Sequence, residues 1–499
     1  MRSLVSSLMA VVMTILMVAP ASALPPPPPV ESIDTAPPEG GDPAPPVKME
    51  QDSECATSHI LPGSTFSGTI PASDAFGVDT LSKFGDGEGV TVAVIDSGVN
   101  PNVRLPRLID GGDYVNADTG LSDCDHHGSI IAGIIAAQPS DSDNFRGVAP
   151  GATILSIRQT SSAFKPANHE DRDKGASSLA TAAAGIVRAV NMGATVINAS
   201  VTACYPTSEV HDTNDLAAAL KYARERNVVV VTAAGNADAD GCESNPSGEN
   251  AFPGDTRNWI RSSHVSMPSY YENLVISVGG STLDGGPYLN TMAGPWVHVA
   301  APAVNITSIN PGESTGTLVN ATKKDDGETI PINGTSFSTA YVSGLVALMQ
   351  QRYPGITPDE VKARLIRTAQ SGSSSTINLV GYGVVDPVRA LTDTVDLTIP
   401  ENPVIYAQNA PVPQTPDLSQ SMQMIVAIII VVTLVAVGVL ALIITTLWSS
   451  GTSLSSIDTR SMTAREIREA KRKIRSNSRK ARREETARRR EFRKKMKRK

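Results

Sequence analysis

Two long apolar stretches mark the ends of this chain, and between them short β-branched runs alternate with alanine-rich segments. Val90–Ile95 (VTVAVI), Thr153–Arg158 (TILSIR), Thr195–Ser200 (TVINAS), Val228–Ala234 and Asn273–Gly280 (NLVISVGG) each have the length and composition of one buried strand. Ser129–Ala137, Leu179–Asn191, Asp215–Arg226 and Thr335–Arg352 read as helices. Thr357–Thr368 is an amphipathic helix, with Thr357 as its cap and Pro358 at its first position. Strands that alternate with helices predict an α/β fold, a largely parallel sheet with helices on both faces. The pattern bounds one large domain at 75–393.

The terminal stretches differ in kind. Residues 1–23 hold one cation, Arg2, then an apolar run to Val18 and small residues at Ala21, Ser22 and Ala23, the pattern of a cleaved secretory leader. Its apolar run falls short of the ~20 residues a bilayer requires. Met424–Leu447 is uncharged and long enough, so 422–448 is expected to cross a membrane as one helix. In the tail at 449–499, Lys and Arg far outnumber Asp and Glu, which puts the tail on the cytoplasmic side and the body outside. Pairs such as Glu484 with Arg488 favour helix formation there, and anionic inner-leaflet lipid is the simplest surface for it to meet. The proline-rich stretches at 24–74 and 394–421 are expected to be an extension wrapped on the domain and a linker to the span.

The net charge of −7 over 499 residues is therefore a sum of a basic tail and a strongly acidic body. Such a body argues against nucleic acid as a substrate. Cys55, Cys124, Cys204 and Cys242 all precede the expected span, as suits two disulfides in an oxidising compartment, with three pairings open. Their spacing lacks the paired CxxC of a zinc site. No calcium-ligand cluster stands out, which leaves calcium open, while no zinc or other metal site and no cofactor is expected.

Three strings carry the candidate chemistry: VAVIDSG around Asp96, DCDHHGSIIAG around His127 and GTSFSTAYVSG around Ser336. A serine hydroxyl attacks only when a base takes its proton and a buried acid holds that base in one tautomer. Asp96 ends an apolar strand, where catalytic groups gather in open α/β sheets. His127 opens a helix of small residues. Its neighbour His126 competes for the role, but the glycine that permits close approach follows His127. Ser336 sits at a loop-to-helix junction, where free N–H groups favour an oxyanion, and Asn236 in AAGN offers a second donor. Singly these residues read as an Asx turn, a helix cap and a turn asparagine. Together, in the order Asp, His, Ser, they point to peptide hydrolysis by a serine nucleophile.

With AAGN between them, the three strings resemble the subtilase family of serine proteases over roughly 75–393. The resemblance implies a three-layer subtilisin-like fold with a seven-stranded sheet, to which this chain adds one transmembrane helix. It implies a triad of Asp96, His127 and Ser336, with Asn236 as oxyanion donor. GGDYV from Gly111, DCDHHG, VINASVTAC, the proline-rich extension and the C-terminal span are similar to the mycosins, membrane-anchored subtilases associated with type VII secretion in actinobacteria. That likeness implies an extracytoplasmic endopeptidase acting on proteins beside a type VII membrane complex, or alternatively a structural stabiliser of that complex with proteolysis secondary. It also favours the pairings Cys55–Cys124, which would strap the extension beside the general base, and Cys204–Cys242. The chain departs from the pattern in places. Ser129 replaces the threonine of HGT, Ser338 and Ala340 stand where ATP commonly follows the serine, and His126 replaces a small residue. SVTA stands where SLGG is frequent, so Ser200, Val201 and Thr202 are the expected substrate-binding edge.

Overall fold

Strands β1 (Thr91–Asp96), β2 (Leu108–Asp113), β3 (Thr153–Arg158), β4 (Val196–Ala199), β5 (Val229–Ala233), β6 (Ile276–Ser281) and β7 (Val299–Pro302) form one sheet in the order β7-β6-β5-β4-β1-β3-β2. Every pairing in it is parallel. The computed structural model describes residues 26–397 apart from 42, 169, 172–174, 211–212, 240, 248–254, 256, 324–326 and 372. The expected leader at 1–23, the span at 422–448, the tail at 449–499 and the linker from 398 lie outside the described residues. Among the described residues, no helix is long and apolar enough to cross a membrane.

Among the described residues, the longer helices that cover the sheet are α1 (His127–Ala136), α2 (Leu179–Asn191), α3 (Asn214–Glu225), α4 (Thr335–Arg352) and α5 (Pro358–Thr368). Successive strand side chains point to opposite faces, so β1 feeds two cores. Val92 and Val94 join the core built with α1, α4 and α5, while Ala93 and Ile95 join the one built with α2 and α3. α4 is buried from Thr335 through Met349, which is why its sequence is uncharged until Arg352. At the start of α5, Thr357 and Glu360 form a reciprocal capping box.

The edge strands β2 and β7 carry no clear signal in the residue pattern. β2 reads LIDGGD, whose glycines and aspartates suggest a turn, and β7 is the four residues VAAP. Each lies at an end of the sheet, β7 meeting only a single outer bridge from Ala300 to Val384, which relaxes the demand for β-branched residues.

The segment before the domain is held at several points. Pro28 O accepts Asn273 Nδ2 at 2.8 Å and Ile33 O accepts Lys221 Nζ at 2.7 Å. Further along, Met49–Gln51 pairs antiparallel with Phe164–Pro166, and Ser58–His59 with Ala321–Thr322. Cys55 is bonded to Cys124, and Cys204 to Cys242. These are the pairings that the family likeness favours, and the first ties the segment to the loop that leads into α1.

Candidate active site

β1 delivers Asp96 to the C-terminal edge of the sheet, fully buried between β3 and β4. Strand order turns at this point, which leaves a crevice where loops converge. Asp96 Oδ1 accepts the Ser97 backbone N–H at 2.8 Å and the imidazole Nδ1–H of His127 at 2.6 Å. That bond leaves Nε2 of His127 as the free acceptor. The imidazole is 30 % exposed, enough for a substrate to reach it.

His127 stands at the first position of α1, and Gly128 explains how the helix gets so close to β1. A Cβ at Gly128 would lie 2.1 Å from the Gly98 carbonyl oxygen and 3.2 Å from Asp96 Cβ, so a larger residue would push the helix off the strand end. Burial of the ring works against its protonation, yet the charge and hydrogen bond of Asp96 together with the charges of Asp123 and Asp125 outweigh it, and the His127 pKa ends above its usual value. His126 does not reach Asp96. It precedes α1 in the left-handed region, φ 65° and ψ −6°, and its Nδ1 lies 2.9 Å from Ser58 Oγ on the strapped segment. A left-handed conformation costs a non-glycine residue about 1 kcal/mol, and one hydrogen bond returns a similar amount. His126→Gly is therefore expected to melt within about 3 °C of the parent and to keep reacting with a fluorophosphonate serine probe. Thermal unfolding and labelling check this, and loss of labelling would make His126 part of the base.

Ser336 is the second residue of α4, 8 % exposed, and Phe337 after it packs on the His127 ring with centroids 5.5 Å apart. Ser336 Oγ–H donates to the Ser200 carbonyl at 3.2 Å, and the Ser200 hydroxyl donates back to the Ser336 carbonyl at 3.1 Å. Behind them Asn198 Nδ2 donates to Ser200 Oγ at 2.8 Å, and Ser343 Oγ donates to Asn198 Oδ1 at 2.9 Å. The end of β4 is thus pinned to α4. Val201 and Thr202 follow, half-buried, before Ala203–Pro206 pairs with His264–Met267. From the loop after β5, Asn236 Oδ1 accepts the Thr335 N–H at 3.1 Å and the Thr335 hydroxyl at 3.2 Å. Its side-chain N–H group consequently lies beside Gly334, at the entrance to α4.

The structure thus gathers Asp96, His127, Ser336, Asn236 and Ser200 at one edge of the sheet. A cleft of about 300 Å³ opens beside His127, with Thr57 and Ser58 of the strapped segment on its lining and Tyr288, Asn333 and Phe337 also facing it. Two further side chains sit behind the acid. Ser97 Oγ lies 3.2 Å from Asp96 Oδ1 and 2.8 Å from Asp123 Oδ1. Sequence spacing does not reveal this contact, which joins positions 26 apart. Among the described residues, no group of three or more His, Cys, Asp or Glu is placed to hold a metal ion.

The model of the Subtilase family matches residues 87–383. Mycosin-1 of Mycobacterium tuberculosis (strain ATCC 25618 / H37Rv) is 44 % identical over 395 residues, covering 77 % of this chain and 86 % of the relative. The solved structure of MycP3 protease from the type VII (ESX-3) secretion system is 42 % identical with a TM-score of 0.69, covering 74 % of this chain and all of that one. A chain of the periplasmic assembly from the ESX-5 inner membrane complex is 38 % identical with a TM-score of 0.70, covering 79 % of this chain and 100 % of that one. These matches, with the family model spanning 87–383, establish that the chain belongs to the subtilase family, within it to the mycosins, and is a serine protease.

Proposed function

We propose that this chain is an endopeptidase anchored in the cytoplasmic membrane, cleaving proteins on its outer side in association with a type VII secretion complex. The observation that carries the catalytic part is the 2.6 Å bond from His127 to Asp96 at a strand end next to the first turn of α4. In this reading Ser336 Oγ leaves the Ser200 carbonyl, turns to His127 Nε2 and attacks the scissile carbonyl as His127 takes its proton. Asp96 holds the imidazolium. The tetrahedral oxyanion is met by the side-chain amide of Asn236 and by N–H groups opening α4. His127 then returns its proton to the leaving amine, and water repeats the cycle on the acyl-enzyme. Backbone at Ser200, Val201 and Thr202 serves as the edge along which substrate adds as a strand. Fluorophosphonate labelling that depends on Ser336 tests the core of this reading, because a folded chain that never labels is not an active serine hydrolase.

Asn236→Ala is expected to lower kcat by about 10² to 10³ with little change in KM, the size of loss produced by the corresponding truncation in a subtilisin, a family relative. Steady-state kinetics on a cleaved peptide check it. A KM effect alone would assign Asn236 to ground-state binding.

Anchoring rests on the leader at 1–23, the apolar run at 422–448 and the basic tail at 449–499. A structural role in the secretion complex is the second reading, favoured by the likeness to a chain of the ESX-5 periplasmic assembly. Secretion assays on a deletion strain separate the two. Rescue by Ser336→Ala but not by a chain truncated before 422 supports the structural role, and failure of Ser336→Ala to rescue supports the enzymatic one.

A further inference from the structure

Behind the Asp96–His127 pair lies a second carboxylate that neither the proposed mechanism nor the family likeness uses. Asp123 is 4 % exposed and fully engaged. Its Oδ2 accepts the Ser129 N–H at 2.8 Å and the Ser129 hydroxyl at 2.6 Å, and that hydroxyl in turn accepts the Asn100 N–H at 2.9 Å. Its Oδ1 meets the Ser97 hydroxyl at 2.8 Å and, more loosely, the Asp125 N–H at 3.2 Å. Ser97 Oγ also accepts the Gly128 N–H at 2.9 Å and faces Asp96 Oδ1 at 3.2 Å. A hydroxyl has one hydrogen, so Ser97 donates to only one of the two aspartates at a time.

We propose that Asp123 is a positioning residue for the hydrolysis: through the single hydrogen of Ser97 it decides how firmly Asp96 is held, and its charge adds to the field that Asp96 places on His127. This rests on reading Asp96, His127 and Ser336 as the triad. When Asp123 is ionised, the Ser97 hydrogen goes to the nearer oxygen, that of Asp123. Asp96 Oδ1 then keeps the Ser97 N–H and the His127 Nδ1–H. When Asp123 takes a proton from solvent, Oδ1 is the oxygen that carries it, since Oδ2 keeps the two short bonds from Ser129, at 2.8 and 2.6 Å, whereas the Ser97 hydrogen can leave Oδ1 and the Asp125 N–H there is longer, at 3.2 Å. That proton points at the remaining lone pair of Ser97, and the Ser97 hydrogen swings to Asp96.

Asp123 is suited to change state in the working range. Burial raises its pKa against the hydrogen bonds from Ser129 and Ser97, the Asp96 charge adds a smaller upward push, and the result is about 6. The charged groups around it are Asp96 at the end of β1, Asp125 in its own loop and His127 on α1. Asp125 is held apart by Ser161 and Ser162 from the loop after β3. Asp123 is also one of the carboxylates that raise the His127 pKa.

Asp123→Asn fixes the protonated arrangement, with the amide oxygen toward Ser129 and its N–H toward Ser97. With one carboxylate removed, His127 gives up its proton at lower pH, and the acid limb of activity moves with it. The rate constant for fluorophosphonate labelling of the purified full-length chain, followed against pH, reads this without a known substrate. One pH unit below the wild-type midpoint, Asp123→Asn should retain about two to three times the wild-type fraction of plateau rate. A limb that stays in place while the plateau falls assigns Asp123 to folding alone and overturns the proposal. Should the variant not fold, the wild-type profile decides: an acid limb that needs two ionisations supports the proposal, and one described by a single ionisation overturns it. A folded wild-type chain that does not label at all removes the triad reading, and this inference with it.

Discussion

Ser336→Ala is expected to lower kcat by about 10⁶ and to abolish fluorophosphonate labelling, while leaving the melting temperature close to that of the parent. The magnitude is the one found on removing the nucleophile of a subtilisin, a relative in this family. The physical reason lies in how little else in the site makes a bond. His127 has nothing to deprotonate once Oγ is gone, so the Asp96–His127 pair becomes inert in the chemical step. Asn236 and the first turn of α4 still stabilise an oxyanion formed by water, which sets the residual rate. Stability should barely move, because Ser336 Oγ gives up a single 3.2 Å bond to the Ser200 carbonyl, worth about 1 kcal/mol. The opposite bond, from Ser200 Oγ to the Ser336 carbonyl, uses the backbone of residue 336 and survives the substitution. A variant that unfolds early, or that keeps more than a thousandth of parental activity, contradicts the assignment of Ser336 as nucleophile.

The same contrast between chemistry and packing explains what the sequence made legible. Five central strands announce themselves as largely β-branched runs because both faces of β1, β3, β4, β5 and β6 are buried, and burial on both sides calls for apolar residues at most positions. β2 ends the sheet and β7 meets only a single bridge, Ala300 with Val384, on its outer side, so their residues are freer to be Gly, Asp or Pro, and periodicity misses them. The long buried α4 was readable from Thr335 to Arg352 for the converse reason, an uncharged run too long for a strand. At the site, Asp96, His127 and Ser336 are visible because each needs a particular neighbour: a strand before the acid, a glycine after the imidazole, a helix after the serine. Ser97 and Asp123 need only each other's position in space. A hydrogen bond between two loops leaves no mark on the residues between them, so this inner pair appears only when β1 and the loop before α1 are brought together. His126 is a further case. Its left-handed backbone accounts for a small residue being usual at that position, but its partner Ser58 lies 68 residues away on the strapped segment, out of reach of any local pattern.

Asp96→Asn is expected to cost about 10⁴ in kcat near neutral pH, about 5 kcal/mol of transition-state stabilisation, a loss comparable to those found in serine proteases on replacing the triad aspartate, a subtilisin included. Asp96 Oδ1 accepts from Ser97 N and His127 Nδ1 and faces the Ser97 hydroxyl, whereas among the described residues no donor reaches Oδ2, which is buried. Asparagine has two ways to fit. With its NH₂ group in the Oδ1 place, it faces the Ser97 N–H, donor against donor, and drives His127 into the tautomer that carries hydrogen on Nε2, unable to accept from Ser336. With its oxygen in the Oδ1 place the tautomer is preserved, but the NH₂ group is buried without a partner and the negative charge that steadies the imidazolium is gone. Both fits also remove the largest influence raising the His127 pKa, so whatever activity remains should extend to lower pH than in the parent. Stability is expected to hold or rise, because a buried carboxylate with one unsatisfied oxygen is held in place at an energetic cost that asparagine reduces. Kinetics and thermal unfolding on the same preparation test both halves. A chain that loses activity and melts earlier would make Asp96 a structural residue, whereas a slower but equally stable chain marks a carboxylate kept in the core for its charge.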